Sequence, residues 1–186
     1  NASGVVFVDN TKTGGIGNNW TNAVKELADV LKAAKTNSAI TEIWVAKGTY
    51  YPLYEASTLG CSSNRDNAFV LVNNVKIYGG FAGGETLLSQ RNWVSNLTTL
   101  SGDIGTTGDS TDNCYHVVVS AGAVGIAALD GFTVTKATAN GGTSITVNSK
   151  TVSKSGGGGL YNVSSAPTIS NCSFILNYGS AGAGMY

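Results

Sequence analysis

The sequence predicts an all-β fold, a solenoid of stacked parallel coils closed at its start by one amphipathic helix. After a single helical segment, short apolar runs separated by turn residues continue to the last residue. The phrase Gly159-Leu160-Tyr161 returns 25 residues later as Gly184-Met185-Tyr186. A period of this length, built from short strands and turns, is typical of a solenoid coil. The 25 Gly and the many Asn residues supply the corners with positive φ that such coils require.

The N-terminal part predicts one strand and one helix. The run "GVVFVDN" reads as a strand that ends at Asp9, and a Gly- and Asn-rich loop follows it. A helix is predicted over 21–35, and Trp20 just before it is placed to staple the start of the helix. Five apolar residues recur along that segment with helical spacing, namely Val24, Leu27, Ala28, Leu31 and Ala34.

No second helical period is visible after residue 35. Apolar runs such as "EIWVAKGTYY", "VKIYGGF" and "YHVVVSAG" predict strands. The phrase "LDGFTV" (129–134) has a looser echo in "NCSFIL" (171–176), and residues 137–158 between them read as an inserted loop. We divide the chain into 1–60, with the first strand, the capping helix and the first coil, and 61–186, with the remaining coils.

The helix has a physical role in such a stack. A pile of parallel coils ends in an unpaired strand edge and an open apolar face, which natural proteins cover. We expect the amphipathic helix to cover the first coil. The phrase Gly184-Met185-Tyr186 begins a coil that the sequence does not complete, so we expect the array to be truncated at the C-terminus.

Charge and hydropathy exclude two classes of partner. The chain carries 11 basic and 11 acidic residues, and charged residues make up only 12% of it. Binding to nucleic acid or to an anionic membrane needs clustered Lys and Arg, so neither is expected. No apolar run approaches the ~20 residues of a membrane-spanning helix.

Several phrases, in this order, resemble one protein family. They are "VKIYGGFAGGET", "QRNW", "NLTTLSGDI", "DNCYHVVV" and "LDGFTV". The chain resembles secreted right-handed parallel β-helix proteins of Gram-negative bacteria that are related to the polymorphic outer-membrane proteins. Gly158-Gly159-Leu160 and Phe174-Ile175-Leu176-Asn177 are similar to two phrases of that family's repeat. The resemblance implies a right-handed parallel β-helix, pectate-lyase-like in form, on an exported adhesin or surface protein.

One acidic loop is a candidate calcium site. The segment "SGDIGTTGDSTDN" offers the carboxylates of Asp103, Asp109 and Asp112, and Ca²⁺ is bound by six to eight oxygens. The spacing is not that of an EF-hand, and a solvated turn capped by these side chains is the alternative. Calcium is the one cofactor that the sequence suggests.

The three cysteines are too few and too scattered for a disulfide scaffold or a zinc site. Cys61 and Cys114 both lie in polar loops, so we predict that they could pair in a disulfide. Cys172 alternates with Phe174 on an apolar face, which favours a buried free thiol.

No catalytic constellation is visible. His116 has no Ser or Cys partner in a motif, and a structural role on its strand is favoured. Asp103 and Asp130 could approach each other as the two carboxylates of a glycosidase, although Asp130 fits a coil corner better. Arg91 is expected to bond loop carbonyls and acids. Three tyrosines could stack on sugar rings or cover the gap under the helix, namely Tyr50, Tyr51 and Tyr54.

The sequence thus favours a secreted or surface-displayed module for adhesion or carbohydrate contact, without catalysis in this segment. Its expected partners are a surface polysaccharide or a ligand on a host or neighbouring cell, together with an outer-membrane secretion machinery. Two alternatives remain open. One is the N-terminal part of a polysaccharide lyase or glycoside hydrolase whose active site lies on later coils. The other is a structural cap or a secretion cargo.

Overall fold

The computed structural model describes residues 4–61 and 64–186. It contains one α-helix, α1 (Leu27–Ala34), and a 3-10 turn at Leu88–Gln90 among strands. The prediction of a mostly β chain with one N-terminal helix is confirmed. The strands are β1 (Val5–Val8), β2 (Glu42–Ala46), β3 (Gly48–Tyr50), β4 (Phe69–Val70), β5 (Lys76–Phe81), β6 (Thr98–Ser101), β7 (Val118–Ala121), β8 (Ala128–Asp130), β9 (Thr133–Thr135), β10 (Thr138–Ala139), β11 (Ser144–Val147), β12 (Lys150–Ser153), β13 (Leu160–Val163), β14 (Thr168–Ser170), β15 (Ser173–Ile175) and β16 (Tyr178–Gly179).

Most strands belong to three parallel sheets. Sheet A has the order β1-β2-β5-β8-β14, sheet B has the order β3-β6-β9-β15, and sheet C has the order β4-β7-β13. From β2 onwards the chain visits sheets A, B and C in turn and then returns to A. Every pairing within the three sheets is parallel. Strands that are neighbours in a sheet therefore come from successive passes of the chain.

The three sheets share one core. In each sheet, one inward residue per strand pairs in register with its equivalent on the next strand, and these residues form apolar columns. Burying each such side chain contributes roughly 1.5–3 kcal/mol, so the columns are the main stabilising feature of the stack. The columns are Ile43–Ile77–Leu129 in sheet A, Tyr50–Leu100–Val134 in sheet B and Phe69–Val118–Leu160 in sheet C.

Helix α1 packs against β1 and β4 and buries its predicted apolar face. The predicted start of the helix is wrong, because α1 begins at Leu27 and not at residue 21. Val24 forms a parallel bridge with Val8 instead, since the amide of Val24 donates to Phe7 O and the carbonyl of Val24 accepts from Asp9 N. The backbone of Val24 thus extends sheet A. The helical spacing of Val24 relative to Leu27 and Leu31 in the sequence is coincidental.

Trp20 does not staple α1. Its indole packs against the rings of Phe7 and Phe81, with centroids 4.9 and 5.4 Å away, and its Nε1 donates to Glu85 O at 2.8 Å. Trp44 stacks on Phe81 in the same cluster. These aromatic side chains form a second apolar cluster on the outer face of sheet A, separate from the main core.

The repeated phrase is a structural repeat. Leu160 pairs with Met185 in a parallel bridge, and the rings of Tyr161 and Tyr186 stack 5.2 Å apart. The phrase "LDGFTV" stacks on 169–174, which overlaps its predicted echo "NCSFIL" (171–176), since Leu129 pairs with Ile169 and Val134 with Phe174. The expected insertion contains an antiparallel hairpin of β11 and β12.

No helix in the described part of the chain is long and apolar enough to cross a membrane.

Candidate functional site

An open cleft of about 480 Å³ lies beside the carboxyl ends of β6, β9 and β15. We call it the polar cleft. Three segments border it, namely the loop after β6, the turn after β9 and the turn after β15. Its lining residues are Asp103, Gly108, Ser110, Asn113, Lys136, Ala137, Thr138, Asn140, Leu176, Asn177 and Tyr178.

An ion pair lies in the polar cleft. Lys136 Nζ is 2.5 Å from Asp103 Oδ2, and the Asp103 side chain is buried while that of Lys136 is partly exposed. Asp103 also accepts a hydrogen bond from Gly108 N at 2.9 Å. The Lys136 ammonium lowers the pKa of Asp103 below its ordinary value, and the carboxylate raises the pKa of Lys136. Both groups are therefore charged at neutral pH.

Gly102 allows the two partners to meet. A Cβ at this position would lie 2.6 Å from Lys136 O and 2.7 Å from Cys114 Sγ, closer than real contacts allow. Gly102 also accepts the amide of Cys114 and donates to Thr135 O. The absence of a side chain thus lets the end of β6 lie directly against the turn after β9.

Amide side chains fix the other walls of the polar cleft. Asn177 accepts from Ala137 N at 3.0 Å and donates to Val134 O at 2.9 Å, which joins the turn after β15 to β9. Asn140 accepts a hydrogen bond from Arg65 Nη2 at 2.8 Å. Asn113 Oδ1 is buried and has no hydrogen-bond partner within residues 4–61 and 64–186. The cleft therefore combines fixed amides with one ion pair.

A second open cleft, of about 410 Å³, lies on the other side of Asp103. We call it the tyrosine cleft, because the exposed ring of Tyr51 lines it together with Pro52 and Leu53. Asp103 lines both clefts, so the start of the acidic loop separates them. The two clefts together place exposed tyrosine rings on both sides of the ion pair, at Tyr51 and at Tyr178.

The other tyrosines have packing roles. Tyr50 is buried, and its hydroxyl donates to Ala46 O at 3.0 Å. Tyr54 OH lies 2.5 Å from Asp29 Oδ1, and Lys32 lies over its ring. Of the predicted tyrosine cluster, Tyr51 alone lines one of the two clefts described above, while the other two join the helix and the first strands.

The predicted calcium ligands are not brought together. Asp109 accepts hydrogen bonds from Thr111 N and Oγ1, and Asp112 accepts one from Thr106 N at 2.7 Å. Asp103 pairs with Lys136. In the described part of the chain no group of three or more His, Cys, Asp or Glu side chains could hold a metal ion. Local capping explains the acidic loop, and calcium binding there stays a prediction.

The predicted disulfide between Cys61 and Cys114 is not formed. Both residues are free cysteines: Cys61 is exposed, and Cys114 is buried in the shared core. Burial raises the pKa of the Cys114 thiol to about 12. Cys114 lies in the interior because the apolar segment that follows it, Val117 to Val119, is buried. Its polar neighbours in the sequence gave no sign of this burial.

Arg91 and Asp130 form a second ion pair, at the other end of β9. Arg91 Nη2 lies 2.9 Å from Asp130 Oδ2, and Nη1 donates to Gly79 O and to Asp130 O. The guanidinium lies over the rings of Tyr78 and Trp93. The predicted role of Arg91 is confirmed. Asp103 and Asp130 thus pair with different cations.

His116 lies in the interior, outside both clefts. Its Nδ1 donates to Gly157 O at 3.0 Å, and its ring meets that of Tyr161 edge to face. Burial lowers the pKa of His116 to about 4. The neutral imidazole is a core group here, as the structural interpretation predicts.

Sequence reasoning missed Lys136, Asn140 and Tyr178. A residue-level signal was present for Asn177 alone, because it closes the Phe174-to-Asn177 phrase of the repeat. Comparison of the chain with protein-family models, curated proteins and solved structures gave no match.

Proposed function

We propose that this chain is a secreted or surface-displayed carbohydrate-contact module of a right-handed parallel β-helix, with α1 as its cap. Its work is adhesion by an extended flank, without turnover of the bound sugar. An outer-membrane secretion machinery would export it.

Three features support the fold part of the proposal. The chain visits three parallel sheets in a fixed order, the sheets share one core, and the repeated phrases pair in register. A right-handed course is expected, because crossover connections between parallel strands are right-handed in about 98% of cases. The α1 helix covers apolar side chains of β1 and β4 in that core.

The functional part of the proposal, contact with carbohydrate, rests on the polar cleft. Sugar-binding sites need fixed hydrogen-bond groups for ring hydroxyls and an exposed aromatic face for the apolar side of the ring. Asn140 and the Asp103–Lys136 pair supply the first, and Tyr178 supplies the second. Tyr51 offers a second ring across the tyrosine cleft. Because Lys136 and Asp103 neutralise each other, the ligand need not be charged.

The protonation states favour contact over catalysis. A general acid at neutral pH needs a carboxyl with a raised pKa, whereas the pKa of Asp103 is lowered. A lysine base needs a lowered pKa, whereas that of Lys136 is raised. The ion pair therefore suits a fixed hydrogen-bonding group better than a proton-transfer group.

The test is a binding screen of the chain against an array of bacterial-surface and plant oligosaccharides, followed by calorimetry on the hits. Tyr178→Ala should weaken binding by roughly fivefold, since an aromatic contact contributes about 1 kcal/mol. Tyr186→Ala is the matched control, because Tyr186 is 59% exposed against 57% for Tyr178 and does not line the polar cleft. Equal affinity of both variants and the wild type would refute the site. Release of shorter sugars from any bound oligosaccharide would refute the absence of turnover.

A further inference from the structure

The outer face of sheet B carries a row of hydroxyl groups. Tyr50, Leu100 and Val134 point into the core, so the residue before each of them faces outward, because successive side chains alternate between faces. These outward residues pair in register across all four strands. We call them the hydroxyl ladder: Thr49, Thr99, Thr133 and Ser173.

The hydroxyl ladder is free to bind. Thr49 and Ser173 are exposed, and Thr99 and Thr133 are partly exposed. Within residues 4–61 and 64–186, none of the four hydroxyls has a hydrogen-bond partner in the protein. Neighbouring strands lie ~4.8 Å apart, so the ladder presents four hydroxyls at regular intervals along the stacking direction.

A buried hydroxyl adds a second observation. Thr135 follows Thr133 by two residues on β9 and so lies on the same outward face. The residue is 7% exposed, and its buried Oγ1 has no hydrogen-bond partner in the described part of the chain. An unsatisfied buried hydroxyl is costly, and this one lies one row beyond the ladder, beneath the surface of the same face.

Side chains at the two ends of β9 flank the outer face of sheet B. At the carboxyl end lie Lys136 and the polar cleft. At the amino end lies Trp93, since a Cβ added at Gly131 would be 3.1 Å from Trp93 Cβ. Trp93 is 37% exposed, and the Arg91 guanidinium lies over its ring. Both ion pairs at the ends of β9 are internally neutralised, which disfavours an anionic ligand there.

We propose that the hydroxyl ladder is the floor of a track for a linear, hydroxyl-rich, uncharged polysaccharide that runs along the stacking direction, across the strands. The inference rests on the proposed function and extends it. The ladder binds successive rings of a long glycan through hydrogen bonds to their hydroxyls, and the polar cleft, which lies beside it at the carboxyl ends of β6, β9 and β15, binds one or two rings. Affinity therefore increases with the length of the glycan.

The experiment compares a disaccharide and a hexasaccharide of one neutral series, such as β-linked glucan or mannan, by calorimetry. The wild type should bind the hexasaccharide more tightly. Thr99→Val with Thr133→Val removes two hydroxyls while keeping branched side chains of similar shape. This variant should lose about tenfold in affinity for the hexasaccharide and nothing for the disaccharide.

The matched control is Thr146→Val with Thr151→Val. These two exposed threonines pair across the β11–β12 hairpin, away from sheet B. The control should bind both sugars like the wild type. Binding that Tyr178→Ala weakens but that depends neither on length nor on the ladder would overturn the track and leave the proposed function standing. Absence of binding by any sugar would overturn both.

Discussion

His116 offers a sharp test of how the interior is built, because it is the only histidine in the chain. Its side chain is 3% exposed, and burial lowers its pKa to about 4. Two charged groups act on its pKa in opposite directions, since Asp66 raises it and Lys154 lowers it. The structure therefore predicts a neutral imidazole at every pH above about 4.

The consequence for stability has a definite sign. An unfolded histidine has a pKa of about 6.5, so between about pH 6.5 and 4 the unfolded chain binds a proton that the folded chain does not. The free energy of unfolding therefore decreases by about 1.4 kcal/mol for each unit by which the pH is lowered within this range. Lowering the pH from about 7.5 to 5.5 should cost about 1.3 kcal/mol, since ordinary carboxylates hardly titrate in that range.

Two measurements check the magnitude. The imidazole proton resonances in an NMR titration are unambiguous with one histidine, and they should not shift until the pH approaches 4. Urea unfolding at the two pH values should show the loss, and His116→Gln should abolish most of it. An imidazole that titrates near pH 6.5, or a loss that persists undiminished in the variant, would refute a buried neutral His116.

Three further predictions follow from the core, the ion pair and the thiols. Leu129→Ala should lower the free energy of unfolding by about 3 kcal/mol, because it empties one position of the sheet A column. The control Ile126→Ala, at a residue that is 63% exposed, should lower it by less than about 0.5 kcal/mol. Equal losses of stability in thermal unfolding would contradict the column. Asp103→Asn should lower stability at neutral pH, and the difference from the wild type should shrink once the pH falls below the ordinary carboxyl value of 3.8 and disappear only below the lowered pKa of Asp103; a difference in urea unfolding that does not shrink between pH 7 and about pH 2 would count against the ion pair. An aromatic disulfide reagent should label Cys61 in the folded chain and Cys114 only after unfolding, and protection of both thiols would indicate that they pair after all.

Sequence patterns predicted the structure correctly where a pattern has a single structural explanation. The apolar stripe of α1 gave the buried face of the helix, because helical spacing has no other explanation over Leu27 to Ala34. It failed at Val24, whose spacing also suits the helix although its backbone pairs with β1. The repeat phrase predicted a stacked pair correctly, since Leu160 and Met185 pair in the structure.

The candidate site was harder to predict, because it depends on register. Lys136 and Asp103 are 33 residues apart and meet only because β9 pairs beside β6. Asn177 joins them because β15 follows in the same sheet. The paired positions of sheet B are 50, 34 and 40 residues apart (Thr49 to Thr99, Thr99 to Thr133 and Thr133 to Ser173), so no constant period aligns these positions in the sequence. Single-residue signals such as acidity pointed instead to Asp109 and Asp112, which only cap local turns.

The central claim is that carbohydrate binds along the flank formed by the polar cleft and the hydroxyl ladder. The most direct test is an NMR titration of the ¹⁵N-labelled chain with a neutral hexasaccharide that binds in the screen. The account predicts amide shifts concentrated in 102–113, 133–140 and 173–178, with little change in the β11–β12 hairpin. Shifts centred on the hairpin or on α1, with none along this flank, would contradict it.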